Sequence, residues 1–211
     1  YYPGAFYTAI LNSLPMGFYS ASQLIQDAKR HDIEILPVCV NHSCRDHQYV
    51  TDDKKSAVRL GLRIVKGLSS TGIDRLLSNR SDKGYSTIQM IKRLNISTKD
   101  IQQLASANAL ASLTGNRYQS RWALMDNENE LPLFANESPI DNVESETPVN
   151  HLFAPSDYDT LIEDYAATGL TLNKHPITLL DEAKKLSLFT RMKGLSDKAH
   201  KSFVTVVGIV T

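Results

Sequence analysis

The sequence predicts a mainly α fold: two helical hairpins that follow a short β-hairpin, with helical flanks and a β-prone run at the end. Three observations carry this. Apolar residues recur at i, i+3 and i+4 in several stretches, as they do along one face of a helix. A period-two alternation is confined to Val58-Arg59-Leu60-Gly61-Leu62. Short hydroxyl residues stand just before the helical stretches, where their oxygens accept from the orphan N–H groups of a first turn.

The organising stretch is Leu62 to Leu77. Ile64, Val65 and Leu68 lead into a Gly67-Leu68-Ser69-Ser70-Thr71 corner, and Ile73, Leu76 and Leu77 then mark one helix face. Ser69, Ser70 or Thr71 can cap that helix. Gly67 sits where the backbone needs positive φ or a close approach by a ligand. A short helix, a glycine corner and a capped helix make the layout of a helix-hairpin-helix. There the corner N–H groups and the helix N-terminus point at a DNA phosphate. An ordinary αα-hairpin with a glycine C-cap uses the same residues, and the stretch alone leaves both readings open. A weaker second copy follows. Ser86 can cap a helix with Ile88, Ile91 and Leu94 on one face, and Asn95-Ile96-Ser97-Thr98 makes the corner. Ile101, Leu104 and Ala105 line the next helix, and Asn108 closes it, since Asn tolerates the left-handed conformation.

The remaining elements fall in order around this pair. Pro3-Gly4 starts a helix with Phe6, Ile10 and Leu11 inward, and Ser20 or Ser22 caps a second carrying Leu24, Ile25 and Ala28. Ile33 to Val40 is β-like, but Pro37 lacks an N–H, so it is an edge strand at best. Gln48–Thr51 and Val58–Leu62 read as a β-hairpin feeding into the first corner. Residues 98–124 read as helical, with Arg117, Arg121 and Trp122 near the end. Residues 126–150 read as an Asn-, Asp-, Glu-, Ser- and Pro-rich linker, interrupted by Leu131-Pro132-Leu133-Phe134. Ser156 to Leu186 is helical again, split at Thr168-Gly169 and His175-Pro176. Phe203 to Val210 is β-prone and begins a sheet. The chain opens Tyr-Tyr-Pro and stops inside that run, so it reads as a piece of something longer.

Composition bounds the function. With 211 residues, 42% of them apolar, the chain suits one large domain or two small ones. No run approaches the roughly 18 apolar residues of a membrane span, and no signal peptide is expected. Two cysteines argue against a disulfide scaffold and fit a reducing cytoplasm. The 23 basic and 23 acidic residues cancel, but they segregate. From Lys54 to Arg121 there are thirteen Lys and Arg against Asp74, Asp82 and Asp100, a balance of +10. From Trp122 to Asp164 there are eleven acids and no Lys or Arg. A basic block around the two corners is the footprint of a nucleic-acid surface.

Other chemistry is weakly signalled. Cys39, His42, Cys44 and His47 are four possible zinc ligands, but one residue between His42 and Cys44 is a poor spacing, and the stretch reads as a polar loop. The acid pairs Asp157/Asp159 and Glu163/Asp164 could hold Mg²⁺, yet beside an acidic linker they read as solvated. No nucleophile elbow, P-loop or dinucleotide-binding glycine pattern occurs, so no catalytic centre is expected within these residues.

At Tyr2-Pro3-Gly4-Ala5-Phe6, Leu11-Asn12-Ser13 and Pro15-Met16-Gly17-Phe18-Tyr19 the chain resembles bacterial C-family DNA polymerases. The likeness continues through Asn41-His42-Ser43, Val58 to Leu68, Ile162-Glu163-Asp164-Tyr165, Thr168-Gly169-Leu170 and His175-Pro176, in order over essentially the whole chain. Val-Lys-Gly-Leu-Ser, Asn-His-Ser and Leu-Pro-Leu-Phe look more like the error-prone, damage-tolerant branch (the ImuC type). The resemblance implies the end of the fingers over 1–47 and a tandem helix-hairpin-helix DNA-binding domain over 48–125. An acidic linker over 126–150, a helical connector over 151–196 and the first strand of an OB-type β domain over 197–211 would follow. It implies DNA-templated nucleotide addition by two-metal chemistry in the intact enzyme, with Mg²⁺ held by palm carboxylates outside this segment.

In that reading Lys66, Gly67, Ser69, Ser70 and Thr71 hold a backbone phosphate of the duplex primer-template, with Ser97 at the second corner. Arg63, Arg75 and Lys99 add non-specific charge. Ser69 replaces the pattern's second glycine and the second hairpin has none, which makes that hairpin mainly structural. Glu130-Leu131-Pro132-Leu133-Phe134 is similar to a clamp-binding pattern of Gln, an aliphatic, any residue, then Leu-Phe. Leu131, Leu133 and Phe134 would then anchor the sliding clamp, or else pack on the chain's own surface. The family's setting is cytoplasmic, with accessory mutagenesis proteins and no membrane. A non-enzymatic helix-hairpin-helix adaptor is the alternative.

Overall fold

The computed structural model describes residues 2–52, 55–125, 155–183, 185, 189–190 and 194–208. Helix α1 (Pro3–Asn12) starts with proline in its first turn, where the missing N–H costs nothing. Its buried face is Gly4, Tyr7 and Leu11, not the expected Phe6, which is 59% exposed. Tyr7 wins the inward position because its hydroxyl finds a partner, donating to Asp27 of α2 (Ala21–Arg30) at 2.7 Å. That bond, with burial, pushes the Tyr7 pKa up to about 12. Ser20 caps α2 in a reciprocal capping box with Gln23, and Leu24, Ile25 and Ala28 face inward as expected.

The sheet has three strands in the order β1-β3-β2: β1 (Glu34–Leu36), β2 (Gln48–Asp52) and β3 (Lys55–Arg59). β1 runs parallel to β3 with Ile35 opposite Val58, and β2 is antiparallel with Tyr49 opposite Val58. β1 lies at the edge and stops before Pro37, as a strand with a coming missing donor must. β3 ends earlier than expected. Leu62–Ile64 winds instead into a 3₁₀ turn, with the Leu62 and Arg63 N–H groups donating to the Cys44 and Arg45 carbonyls at 2.8 and 3.0 Å. Gly61 is the joint: a Cβ there would stand 2.4 Å from the Asp46 carbonyl carbon.

Five helices follow: α3 (Ser70–Ser78), α4 (Ile88–Lys92), α5 (Thr98–Ser106), α6 (Ala111–Thr114) and α7 (Arg117–Met125). The expected helix over 98–124 is therefore three. Asn108 (φ +57°) turns the chain after α5, and Gly115 (φ +96°) closes α6. At α4 the N-cap is Thr87 without a side-chain bond, while the Ser86 hydroxyl donates to Met90 Sδ at 3.3 Å. Helices α8 (Asp157–Ala167) and α9 (Pro176–Glu182) begin at Ser156 and His175, as the spacing predicts. Phe203 to Gly208 makes no ladder, and Phe203 is fully exposed. β-propensity is only a fitness for a pleated, half-buried surface, and the described residues offer this run none.

One core unites α1, α2, the sheet and both hairpins. Its fully buried side chains include Leu11, Ile25, Val58, Leu62, Leu76, Ile91, Leu104 and Leu110. Among the described residues no helix is long and apolar enough to cross a membrane.

Candidate nucleic-acid interface

The two corners are built alike. Gly67 (φ +77°) precedes Leu68 and the α3 N-cap Ser69; Asn95 (φ +53°) precedes Ile96 and the α5 N-cap Ser97. Each serine oxygen accepts from the N–H of the third helical residue, Gly72 at 2.9 Å and Asp100 at 3.0 Å. Each serine carbonyl accepts from the next residue, Ile73 at 3.0 Å and Ile101 at 3.1 Å. Ile73 and Leu76 of α3 and Ile101 and Leu104 of α5 are then buried on matching faces. Asn fills the left-handed position that glycine fills in the first copy, so the second corner needs no glycine.

The corners clasp each other. Asp100 Oδ1 accepts from the Ser69 N–H at 2.7 Å, and Oδ2 accepts from the Ser69 and Ser97 hydroxyls at 2.7 and 2.8 Å. Burial pushes this carboxyl up, but the bonds from Ser69 and Ser97 and the Lys99 charge outweigh it, and its pKa lies below the ordinary value. In return Arg75 of α3 donates to the Asn95 carbonyl. Neither tie was legible as one. Asp100 counted only as an acid offsetting the basic block, although Ser97-x-x-Asp100 has the spacing of a capping pair.

The predicted contact residues divide accordingly. Gly67, Ser70, Thr71, Ser97 and Lys99 are exposed along the two corners. Ser69 turns inward, to Asp100. Ser70 receives Arg45, whose guanidinium donates to its hydroxyl at 3.0 Å and also pairs with Asp74. Thr71 Oγ1 lies 3.1 Å from Ser69 Oγ. Arg63 is tied to Asp46 at 2.9 Å and to the Asn12 and Leu14 carbonyls at 3.1 and 3.3 Å. Lys66 lies against the end of α8, its N–H on the Ala167 carbonyl and its ammonium on the Tyr165 carbonyl, at 2.8 and 2.9 Å. A cation there suits the negative end of a helix dipole. Leu131, Leu133 and Phe134 lie outside the described residues.

Of the acids expected to be solvated, Asp157 and Asp159 are exposed as expected, while Glu163 and Asp164 are a correction. Arg121 forks onto both Glu163 oxygens at 2.9 and 2.6 Å, and this holds the Glu163 carboxyl below its usual range against burial. Asp164 accepts from Arg117, from Thr171 Oγ1 at 2.8 Å and from Asn173 Nδ2 at 3.1 Å. These pairs dock α8 on α7. A local charge count cannot see partners more than forty positions away. The helical stripe gave a signal, though, since Asp164 falls three residues after buried Leu161 and three before buried Ala167. Lys29 adds a further tie, donating to the Leu172 carbonyl at 2.9 Å, and burial lowers its pKa.

The Cys39–His47 stretch is a turn held by its neighbours. Ser43 Oγ accepts from Cys39 N–H at 3.0 Å and donates to the Leu60 carbonyl at 2.6 Å. His47 Nδ1 accepts from Gly61 N–H at 3.1 Å. Burial, joined by the Arg63 charge and opposed by Asp46, pushes the His47 pKa down to about 4. Among the described residues no group of three His, Cys, Asp or Glu could hold a metal ion.

The helix-hairpin-helix motif family matches residues 32–120, a span that contains both corners. Over 212 residues and the whole chain, the sequence is 54% identical to an error-prone DNA polymerase of Vibrio parahaemolyticus. It is 41% identical over 217 residues to one of Teredinibacter turnerae, and 42% identical over 215 residues to one of Hahella chejuensis. The chain spans 20% of the length of each of these relatives. It is a mainly α, helix-hairpin-helix-bearing chain, similar from end to end to one segment of the bacterial error-prone DNA polymerases.

Proposed function

We propose that this chain holds duplex DNA by sequence-independent phosphate contacts, as the DNA-binding segment of an error-prone DNA-directed DNA polymerase. The observation that carries the reading is the pair of exposed corners, Gly67–Thr71 and Asn95–Lys99, set on one core inside the basic block. Backbone groups at such corners meet phosphates and read no sequence, which suits an enzyme that must move along any template. Lys99 supplies charge at the second corner, whose likeness to the first gives it an equal part in the contact. The intact enzyme would act in damage-induced mutagenesis and lesion bypass in the cytoplasm. Residues 1–47 would close its fingers, 48–125 hold DNA, 126–150 link, 151–196 connect and 197–211 open an OB domain. Leu131, Leu133 and Phe134 would meet a sliding clamp, with accessory mutagenesis proteins nearby.

Nucleotide addition in such an enzyme uses Mg²⁺. The described residues offer no ligand set for it, so no chemical step is assigned to this chain. The chain alone should extend no primer with dNTPs and Mg²⁺. The test of the reading is duplex binding across a salt series. With about four to six phosphates neutralised, log K should fall against log salt with a slope of about −4 to −5. Salt-independent binding, or affinity that follows one sequence, would refute it.

A further inference from the structure

We infer that Asp100 is a positioning residue for the duplex contact, its carboxylate fixing the Gly67 and Asn95 corners to each other through Ser69 and Ser97. The inference rests on the duplex reading above. Asp100 is 4% exposed and touches no surface that DNA could reach, so it acts only through the two caps. It accepts three hydrogen bonds, two from the first corner and one from its own.

The two copies share their capping serines and buried helix positions but differ at the third helical residue. The third helical residue is Gly72 in α3 and Asp100 in α5, and both N–H groups serve their capping serines. A Cβ on Gly72 would stand 2.8 Å from Asp100 Oδ2, so the missing side chain of one copy makes room for the carboxylate of the other. The carboxylate also takes the Ser69 N–H, a group that the first corner would otherwise turn to a phosphate. The first corner therefore meets DNA through Gly67, Ser70 and Thr71, and its central donor belongs to the clasp. Two corners held rigidly bind like a bidentate ligand: once one phosphate is engaged, the other corner is already in place. Arg75 of α3, donating to the Asn95 carbonyl, ties the same two copies a second time.

The experiment is duplex titration of the full 211-residue chain across a salt series. Asp100→Asn, Ser97→Ala and Ser97→Thr are compared with the unsubstituted chain, each well below its unfolding midpoint. Asp100→Asn should weaken binding about tenfold or more and flatten the salt slope by roughly a third to a half, as one corner drops out. A residue that only stabilises the fold would lower the unfolding midpoint and leave the slope of the folded protein unchanged, and that result overturns the inference. Should Asp100→Asn fail to fold, Ser97→Ala decides. It removes one of the three bonds together with the α5 N-cap and keeps the carboxylate, so the salt slope rather than the unfolding midpoint is read. A flattened slope that Ser97→Thr restores supports the inference, and an unchanged slope overturns it. Absence of binding by the unsubstituted chain would instead refute the duplex reading itself.

Discussion

Arg117 and Asp164, 47 positions apart, form an ion pair almost closed to solvent, with side chains 3% and 14% exposed. Asp164 is further bound by Thr171 and Asn173, whereas Arg117 Nη1 is buried with no hydrogen-bond partner among the described residues. The two partners are thus unequally served, and this sets the outcome of removing either one.

Asp164→Asn should destabilise the chain by about 3 kcal/mol, because it leaves a buried guanidinium without its counter-charge. Arg117→Met should cost less. It removes the orphaned N–H along with the charge, and Asp164 keeps two neutral donors. Urea unfolding of the two variants gives the comparison; equal losses would count against it.

His47 should make the fold acid-sensitive. Its pKa falls from the model-compound 6.5 in the unfolded chain to about 4 in the folded one. Between those values the unfolded chain binds the proton and the folded chain does not. Stability from this group is therefore complete above pH 6.5 and declines as pH falls toward 4, by up to about 1.4 kcal/mol per pH unit. His47→Gln should remove that slope while lowering stability at pH 7, as read from urea midpoints at pH 7 and pH 5.

Gly61→Ala should destabilise by about 2–4 kcal/mol, since its Cβ would lie 2.6 Å from the Arg45 and Asp46 carbonyl oxygens. The Arg45–Asp46 backbone cannot swing aside as a side-chain tip can. A thermal midpoint unchanged from the parent would contradict this.

Gly67→Val should weaken duplex binding more than Lys92→Ala. The corner holds φ +77°, and the nearest foreign atom to a Cβ is 3.6 Å away on Gln103, so the penalty is backbone strain rather than crowding. Lys92 is half-buried and donates to the Ala123 carbonyl of α7 at 2.9 Å, so its ammonium is held within the chain. Equal effects in an anisotropy titration would mean that the Gly67 corner is only a turn.

What the sequence made legible was local. Ser20 and Ser69 cap from among the hydroxyls the spacing offers, Asn108 turns left-handed, and the strand before Pro37 lies at an edge. What it hid was chosen by distant partners. Tyr7 over Phe6 depended on Asp27, and the roles of Glu163 and Asp164 depended on Arg121 and Arg117. Arg63, Lys66 and Arg75 look in sequence like charge for DNA, yet each already holds a carbonyl of the chain. A count of basic residues therefore overstates how many side chains stand ready to meet a phosphate directly.

The docking of α8 on α7 joins two points that flank a long connection. Arg121 of α7 and Glu163 of α8 are paired, so the helices that flank residues 126–154 are held to each other by side chains lying outside that span. Loop-closure entropy grows only with the logarithm of length, and even for a fully flexible path doubling the residues in between costs about 0.6 kcal/mol. Insertions and deletions of several residues there should leave the docked helices where they are. Length between the two helices is then a weak constraint, whereas the chemistry of Arg121 and Glu163 is a strict one.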